Sequence, residues 1–301
     1  MTDSNSPVGV LLCGGLGTRS GWYTHRVTNK HLLYVFNQAM INYPILSLVE
    51  AGVKDAVIVV GSRHSGDLMN FCGDGAEFGL HNLNYARQYG EGGIGAALKC
   101  AQPFAHGRPV VVILGDNLFQ DDLSEFVQSY QSGCRILLKE VDDPRAYGVA
   151  TLNEVGRVSK IVEKPKDPET NLAVVGAYIF DKDVFDILDT LKPSARGEME
   201  VTDIINAYIE RDQVSYTKLS GFWTDMGSPD NLLDAANFIR AHKQEFDNRF
   251  AKHFKIDLSL PLTRSKAVEI LNALEKEYGS NVGVAIKFLK QHIKILDKWG
   301  R

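Results

Sequence analysis

The sequence predicts an α/β fold in which a mostly parallel central sheet is flanked by helices, with a second sheet region inserted and a helical extension at the C-terminus. Three observations predict it. The first half alternates short apolar runs with helical patterns, the texture changes at Cys134 to strands joined by turn-rich links, and beyond Gln244 the apolar residues fall on two helical stripes. Strand and helix taking turns implies parallel strands with helices on both faces.

In chain order, residues 8–12 form the first strand, followed by a helix at 40–51, a strand at 55–60, a helix at 66–71, a strand at 83–86, a helix at 94–101 and a strand at 109–114. In such a sheet ligands sit beyond the carboxyl ends of the strands, so the residues just after each run matter most. The second region reads as strands at 135–141, 148–152, 158–162 and 173–180, helices at 181–191 and 201–211, a strand at 214–219 and a helix over 229–241. In the tail, Ala267, Ile270, Leu271, Leu274 and Tyr278 share one stripe, and Ile286, Leu289, Ile293 and Leu296 another. Two amphipathic helices are expected there, and packing alone accounts for them.

With 301 residues and 44% hydrophobic content, the chain can bury one large core or two closely joined ones. A formal charge of −4 lacks the basic excess that nucleic-acid or anionic-membrane binding needs, so any polyanion must be held by a local site. The N-terminus is polar and no stretch approaches transmembrane length. Cys13, Cys72, Cys100 and Cys134 are scattered and form no Cys-x-x-Cys pair, which fits a reducing cytoplasm.

The first strand runs into Gly14-Gly15-Leu16-Gly17-Thr18-Arg19. Glycines there let backbone N–H groups approach phosphate oxygens, and an arginine adds a bidentate cation. A dinucleotide fingerprint would need glycine where Ser20 stands, and a Walker A loop would need a Gly-Lys-Ser/Thr ending. A tight turn with a surface arginine is the plain alternative. Lys30, in Asn29-Lys30-His31-Leu32-Leu33, brings a second cation. Asp116, in Leu114-Gly115-Asp116-Asn117, ends a buried-looking strand where a hard cation can be held between carboxylate and phosphate, although an aspartate there also suits a turn.

Taken in order, these motifs with Glu163-Lys164-Pro165 and Trp223-Thr224-Asp225-x-Gly227 resemble the sugar-nucleotide pyrophosphorylases, a nucleotidyltransferase family. Gln88-Tyr89-Gly90-Glu91-Gly92-Gly93-Ile94, the stretch 171–176 and the stretch 191–203 are most similar to its glucose-1-phosphate thymidylyltransferase branch. The resemblance covers roughly residues 8–240. It implies a Rossmann-like nucleotidyltransferase domain over 1–243, with a nucleotide-binding part to about 133, a sugar-binding part over about 134–228, and a separate extension at 244–301. It also implies transfer of a nucleotidyl group, dTTP being the expected donor, to a sugar 1-phosphate, expected to be glucose 1-phosphate, with release of pyrophosphate. A uridylyl- or cytidylyltransferase and a non-catalytic sugar-nucleotide-binding regulator are the alternatives.

By the same matching, Arg19 and Lys30 face the triphosphate and Lys164 the sugar phosphate. Leu12, Gly14, Gly15, Gly17, Thr18, Gln88, Gly93 and Asp116 line the nucleotide pocket. Tyr147, Gly148, Glu163, Lys164, Val174 and Trp223 face the sugar, while Asp116 and Asp225 hold Mg²⁺. The family implies a homo-oligomer, and no nucleic acid or membrane partner is expected. Three stretches depart from the pattern: Ser20-Gly21-Trp22-Tyr23-Thr24-His25 replaces a leucine and proline, Tyr34 replaces a proline, and Asn37-Gln38-Ala39-Met40 replaces a usual Asp/Asn-Lys-Pro-Met. All the charged positions remain, which predicts activity with an altered loop.

Overall fold

The computed structural model describes residues 6–14, 28–90 and 92–254. Gly15, Gly17, Thr18, Arg19, the 20–25 stretch and both tail stripes lie outside the described residues. The first region comprises β1 (Val8–Cys13), a hairpin of β2 (Tyr34–Val35) and β3 (Gln38–Ala39), α1 (Asn42–Glu50), β4 (Asp55–Val60) and α2 (Ser65–Cys72). It continues with β5 (Asn82–Arg87), α3 (Gly93–Lys99), α4 (Gln102–Ala105), β6 (Val110–Leu114), β7 (Asn117–Phe119) and α5 (Ser124–Gln128). The second supplies β8 (Cys134–Glu140), β9 (Gly148–Leu152), β10 (Val158–Glu163), β11 (Leu172–Phe180), α6 (Val184–Thr190) and α7 (Val201–Ile209). Then come β12 (Val214–Lys218), β13 (Trp223–Asp225), α8 (Pro229–Ala241) and α9 (Lys243–His253).

Strands β5, β4, β1 and β6 lie side by side in parallel, with β1 in the middle. β1 and β4 are buried along their whole length, which is why each reads as an unbroken apolar run. The edge strand β5 is instead only partly covered, with Leu83 and Ala86 buried and Asn82, Asn84 and Arg87 exposed. The inserted region joins through β11, which is antiparallel to β6. Its nine residues are all buried, and a register irregularity between Val175 and Tyr178 bends it. One edge of β11 therefore serves β6 over Ala177–Phe180 and β9 at Ala173 and Val174, while the other holds β8, with β12 beyond it.

Within the described residues, the expected strands and helices are present with small shifts at their ends. Residues 34–39, 117–119 and 223–225 were not expected to pair, yet they form the β2/β3 hairpin and a β7/β13 ribbon. Two- and three-residue strands are too short to show a period. The ribbon sets Asp225 opposite Asn117, and so brings the end of β13 beside Asp116.

Helix α8 starts on a cap in which Ser228 Oγ accepts from Asn231 N at 3.2 Å, with Pro229 in the first turn. Helix α9 buries Phe246 and Phe250 against Tyr43 of α1, with ring centroids 5.9 and 5.5 Å apart. Arg249 of α9 donates to both carboxylate oxygens of Glu50 at 2.8 and 2.6 Å, and to the Gln120 carbonyl at 3.0 Å. The chain divides into two units, residues 1–255 and 256–301, and α9 belongs to the first. No helix among the described residues is long and apolar enough to cross a membrane.

Candidate active site

At the carboxyl end of β1 the chain passes from Leu12, which is buried between β4 and β6, to Gly14. Gly14 lies under the side chain of Gln88: a Cβ there would stand 2.5 Å from Gln88 Oε1. Gln88, 7% exposed, extends β5 through a bond from its N–H to the Val60 carbonyl, and its Nε2 points to the Gly93 carbonyl at 3.4 Å. Gly93 has φ +77°, and a Cβ on it would press to 2.9 Å from the Met199 carbonyl, so glycine is required on both counts. Gly14, Gln88 and Gly93 thus meet at one strand edge, a fixed amide beside small residues.

Asn29 caps a single turn, Lys30–Leu32, by accepting from His31 N at 3.0 Å, and its Oδ1 also meets the His31 ring at 2.6 Å. The turn aims Lys30 at Asp116, Nζ to Oδ2 2.5 Å, with the two side chains 11% and 14% exposed. Burial by itself would raise the Asp116 pKa, but the Lys30 ammonium, the Asn117 amide and the nearby His31 bring it down to about 2. His31 is buried, and desolvation with the Lys30 charge lowers its own pKa to about 3. At working pH the imidazole is therefore neutral, and the Lys30 ammonium carries the stabilisation.

Beyond Asp116 opens a cavity of about 200 Å³ with Asp116 and Asp225 on its wall. Tyr147, Gly148, Glu163, Lys164, Val174 and Trp223 line it too, so eight expected residues converge there. Asp225 Oδ1 accepts from Gly227 N at 3.1 Å and Asn231 Nδ2 at 3.3 Å, and its Oδ2 from the Tyr147 hydroxyl at 3.3 Å. The Tyr147 and Trp223 rings meet edge to face, centroids 5.3 Å apart. Glu163 Oε2 accepts from Thr202 Oγ1 at 2.6 Å, while Lys164 Nζ and Arg196 Nη2 each stand 3.4 Å from Oε1. Lys164 adopts φ +43°, the left-handed region that costs a side-chain-bearing residue energy, and its N–H donates to the Tyr147 carbonyl at 2.9 Å.

Asn117, which follows Asp116 in its motif, and Arg196 and Thr202, which fall in the 191–203 stretch, have no role assigned from the sequence, yet all three stand against cavity-lining carboxylates. The signal was present for each: a short polar residue beside a strand-end aspartate, and hydrogen-bonding side chains within the 191–203 stretch.

Among the described residues there is no group of three or more His, Cys, Asp or Glu that could cage a metal. Two carboxylates sharing one cavity suit a hard divalent ion that takes its remaining ligands from phosphate oxygens and water. Asp116, ionised down to pH about 2, has the charge state such an ion requires.

The nucleotidyl transferase family model matches residues 8–242. A low-salt glycan biosynthesis nucleotidyltransferase of Haloferax volcanii is 35% identical over 239 residues, 78% of this chain and 66% of that protein. A glucose-1-phosphate thymidylyltransferase of an Actinoplanes species is 37% identical over 238 residues, 77% of this chain and 78% of that protein. Among solved structures, a Bacillus anthracis protein assigned as a glucose-1-phosphate thymidylyltransferase, in complex with sucrose, superposes with TM-score 0.74 at 40% identity. That match covers 78% of this chain and 96% of the other. Nucleotidyltransferases of this kind generally use a divalent metal ion. A strand-end glycine under a fixed amide, a lysine-bound aspartate and a second carboxylate in the same cavity thus have a known context: the chain belongs to the nucleotidyl transferase family.

Proposed function

We propose that this chain transfers thymidylyl from dTTP to glucose 1-phosphate, giving dTDP-glucose and pyrophosphate. One observation carries the reading: Asp116, the adjacent pair Glu163 and Lys164, and Asp225, from three distant segments, line a single cavity beside the Lys30 ammonium. Similarity to the Actinoplanes and Bacillus glucose-1-phosphate thymidylyltransferases supports the substrate pair.

In this reading a phosphate oxygen of the sugar 1-phosphate attacks the α-phosphorus of dTTP, and the bond from that phosphorus to the β-phosphate bridging oxygen breaks. Two unit charges at 4 Å repel by about 1 kcal/mol in water and about 4 kcal/mol at an effective dielectric of 20, so cations must stand where the substrates meet. Lys164 takes the sugar phosphate, and Arg19 and Lys30 take the triphosphate. Gln88 presents its amide to the pyrimidine edge over Gly14 and Gly93. Glu163 accepts from sugar hydroxyls, and Trp223 with Val174 forms an apolar wall. Asp116 and Asp225 would hold Mg²⁺, which when bound supplies positive charge to the phosphate oxygens. Catalysis is positioning and charge stabilisation, with no covalent intermediate.

The test is pyrophosphate release by purified protein with dTTP, UTP, CTP and ATP against glucose 1-phosphate and other sugar 1-phosphates, with and without Mg²⁺. Metal-dependent turnover highest with dTTP and glucose 1-phosphate is expected. Release with another pair reassigns the substrates, and no release with any pair overturns the catalytic reading.

A further inference from the structure

Asn117 is 1% exposed and has both ends of its side chain committed. Its Nδ2 donates to Asp116 Oδ1 at 3.0 Å, and its Oδ1 accepts from Trp223 Nε1 at 2.8 Å. An indole N–H can only donate and an ionised carboxylate can only accept, so the amide has one allowed orientation. The opposing strand makes room for it: at Gly176 of β11 a Cβ would stand 2.5 Å from Asn117 Oδ1 and 2.8 Å from Nδ2. Backbone pairing with Asp225 holds Asn117 in register.

Rotation of a carboxylate about its last bond is soft, so a lone aspartate does not hold its oxygens in place. Asp116 is held by Lys30 on Oδ2 and Asn117 on Oδ1. When Lys30 turns to a triphosphate, Asn117 remains to set the plane of the carboxylate. We propose that Asn117 is a positioning residue that ties the sugar wall to the metal-binding carboxylate, so that the Trp223 indole tunes the metal site without a bond to either metal-binding aspartate. This rests on the metal and sugar assignments proposed above. Hydrogen-bond partners of metal-ligating carboxylates typically alter metal affinity about 10–100-fold when removed.

The experiment is Mn²⁺ titration by electron paramagnetic resonance of the full chain with α,β-methylene-dTTP, which cannot release pyrophosphate. Asn117→Ala is expected to weaken Mn²⁺ binding about tenfold. Trp223→Phe is expected to weaken it about threefold, and the double variant no more than Asn117→Ala alone, because both changes cut the same tie. Asn117→Leu, which keeps the volume and removes both polar ends, stands in if the alanine chain does not fold by circular dichroism. Wild-type Mn²⁺ affinity in Trp223→Phe, or independent effects that multiply in the double variant, would overturn the proposal. The metal assignment fails separately, by Asp116→Asn binding Mn²⁺ as the wild type does.

Discussion

Asp116 shows how a single side chain is set by neighbours far away in the chain. The Lys30 ammonium at 2.5 Å from Oδ2 keeps a mostly buried carboxylate ionised. Asp116→Asn and Asp225→Asn are each expected to lower kcat by about 10²–10³-fold with the fold intact, a loss typical of removing one transition-state stabilising group. Pyrophosphate release and circular dichroism check this together, and near-normal rates would remove the metal role. Lys164→Ala is expected to raise KM for glucose 1-phosphate more than it lowers kcat, which steady-state kinetics would show.

The elements divide labour between the two ends of the parallel strands. At the amino end, Asp55 of β4 is paired with Arg108 at 2.7 Å and accepts from Asn82 of β5 at 2.8 Å. Burial would raise the Asp55 pKa, but these two partners outweigh it and lower it. A depressed carboxylate contributes stability above its ordinary pKa and loses it as pH falls below that value. Arg108→Met, which leaves a buried carboxylate short of its cation, is expected to cost about 3 kcal/mol at pH 7 and much less near pH 3. Urea melts at both pH values test this, and kcat should be unchanged because the pair lies opposite the cavity end. Helix α9 makes a similar case: its Arg249 clamps Glu50, which is 7% exposed, so Arg249→Met is expected to cost about 3 kcal/mol in the same assay. A cost below about 0.5 kcal/mol would show that Phe246 and Phe250 hold the helix unaided.

At the scale of the molecule, a site assembled from β1, β5, β7, β10 and β13 exists only in the folded chain, so its ligands stabilise the fold. Mg²⁺ with dTTP at about 100 times Kd should add about 2.7 kcal/mol and raise Tm by about 5 °C in a thermal melt. Asp116→Asn should lose the Mg²⁺-dependent part of that rise, and an equal rise in both proteins would place the metal elsewhere.

How much was legible beforehand follows the same scales. The runs that became β1, β4 and β6 were readable because buried parallel strands leave unbroken apolar stretches, and the glycine, Asp116 and Glu163-Lys164 motifs were readable because they follow strand ends. The β7/β13 ribbon was not, since three-residue strands have no period and their partners lie more than 100 residues apart. The place of Asn117 between Asp116 and Trp223 depends on the absent side chain of Gly176, a steric fact visible only once β11 lies against β7. By itself the sequence determined the order of elements and the chemistry carried to the ligand edge, because local patterns and side-chain types are written in the chain. Only the tertiary structure decided which carboxylates share a cavity and which neighbours charge and orient them, because those energies depend on distances between segments that are remote along the backbone.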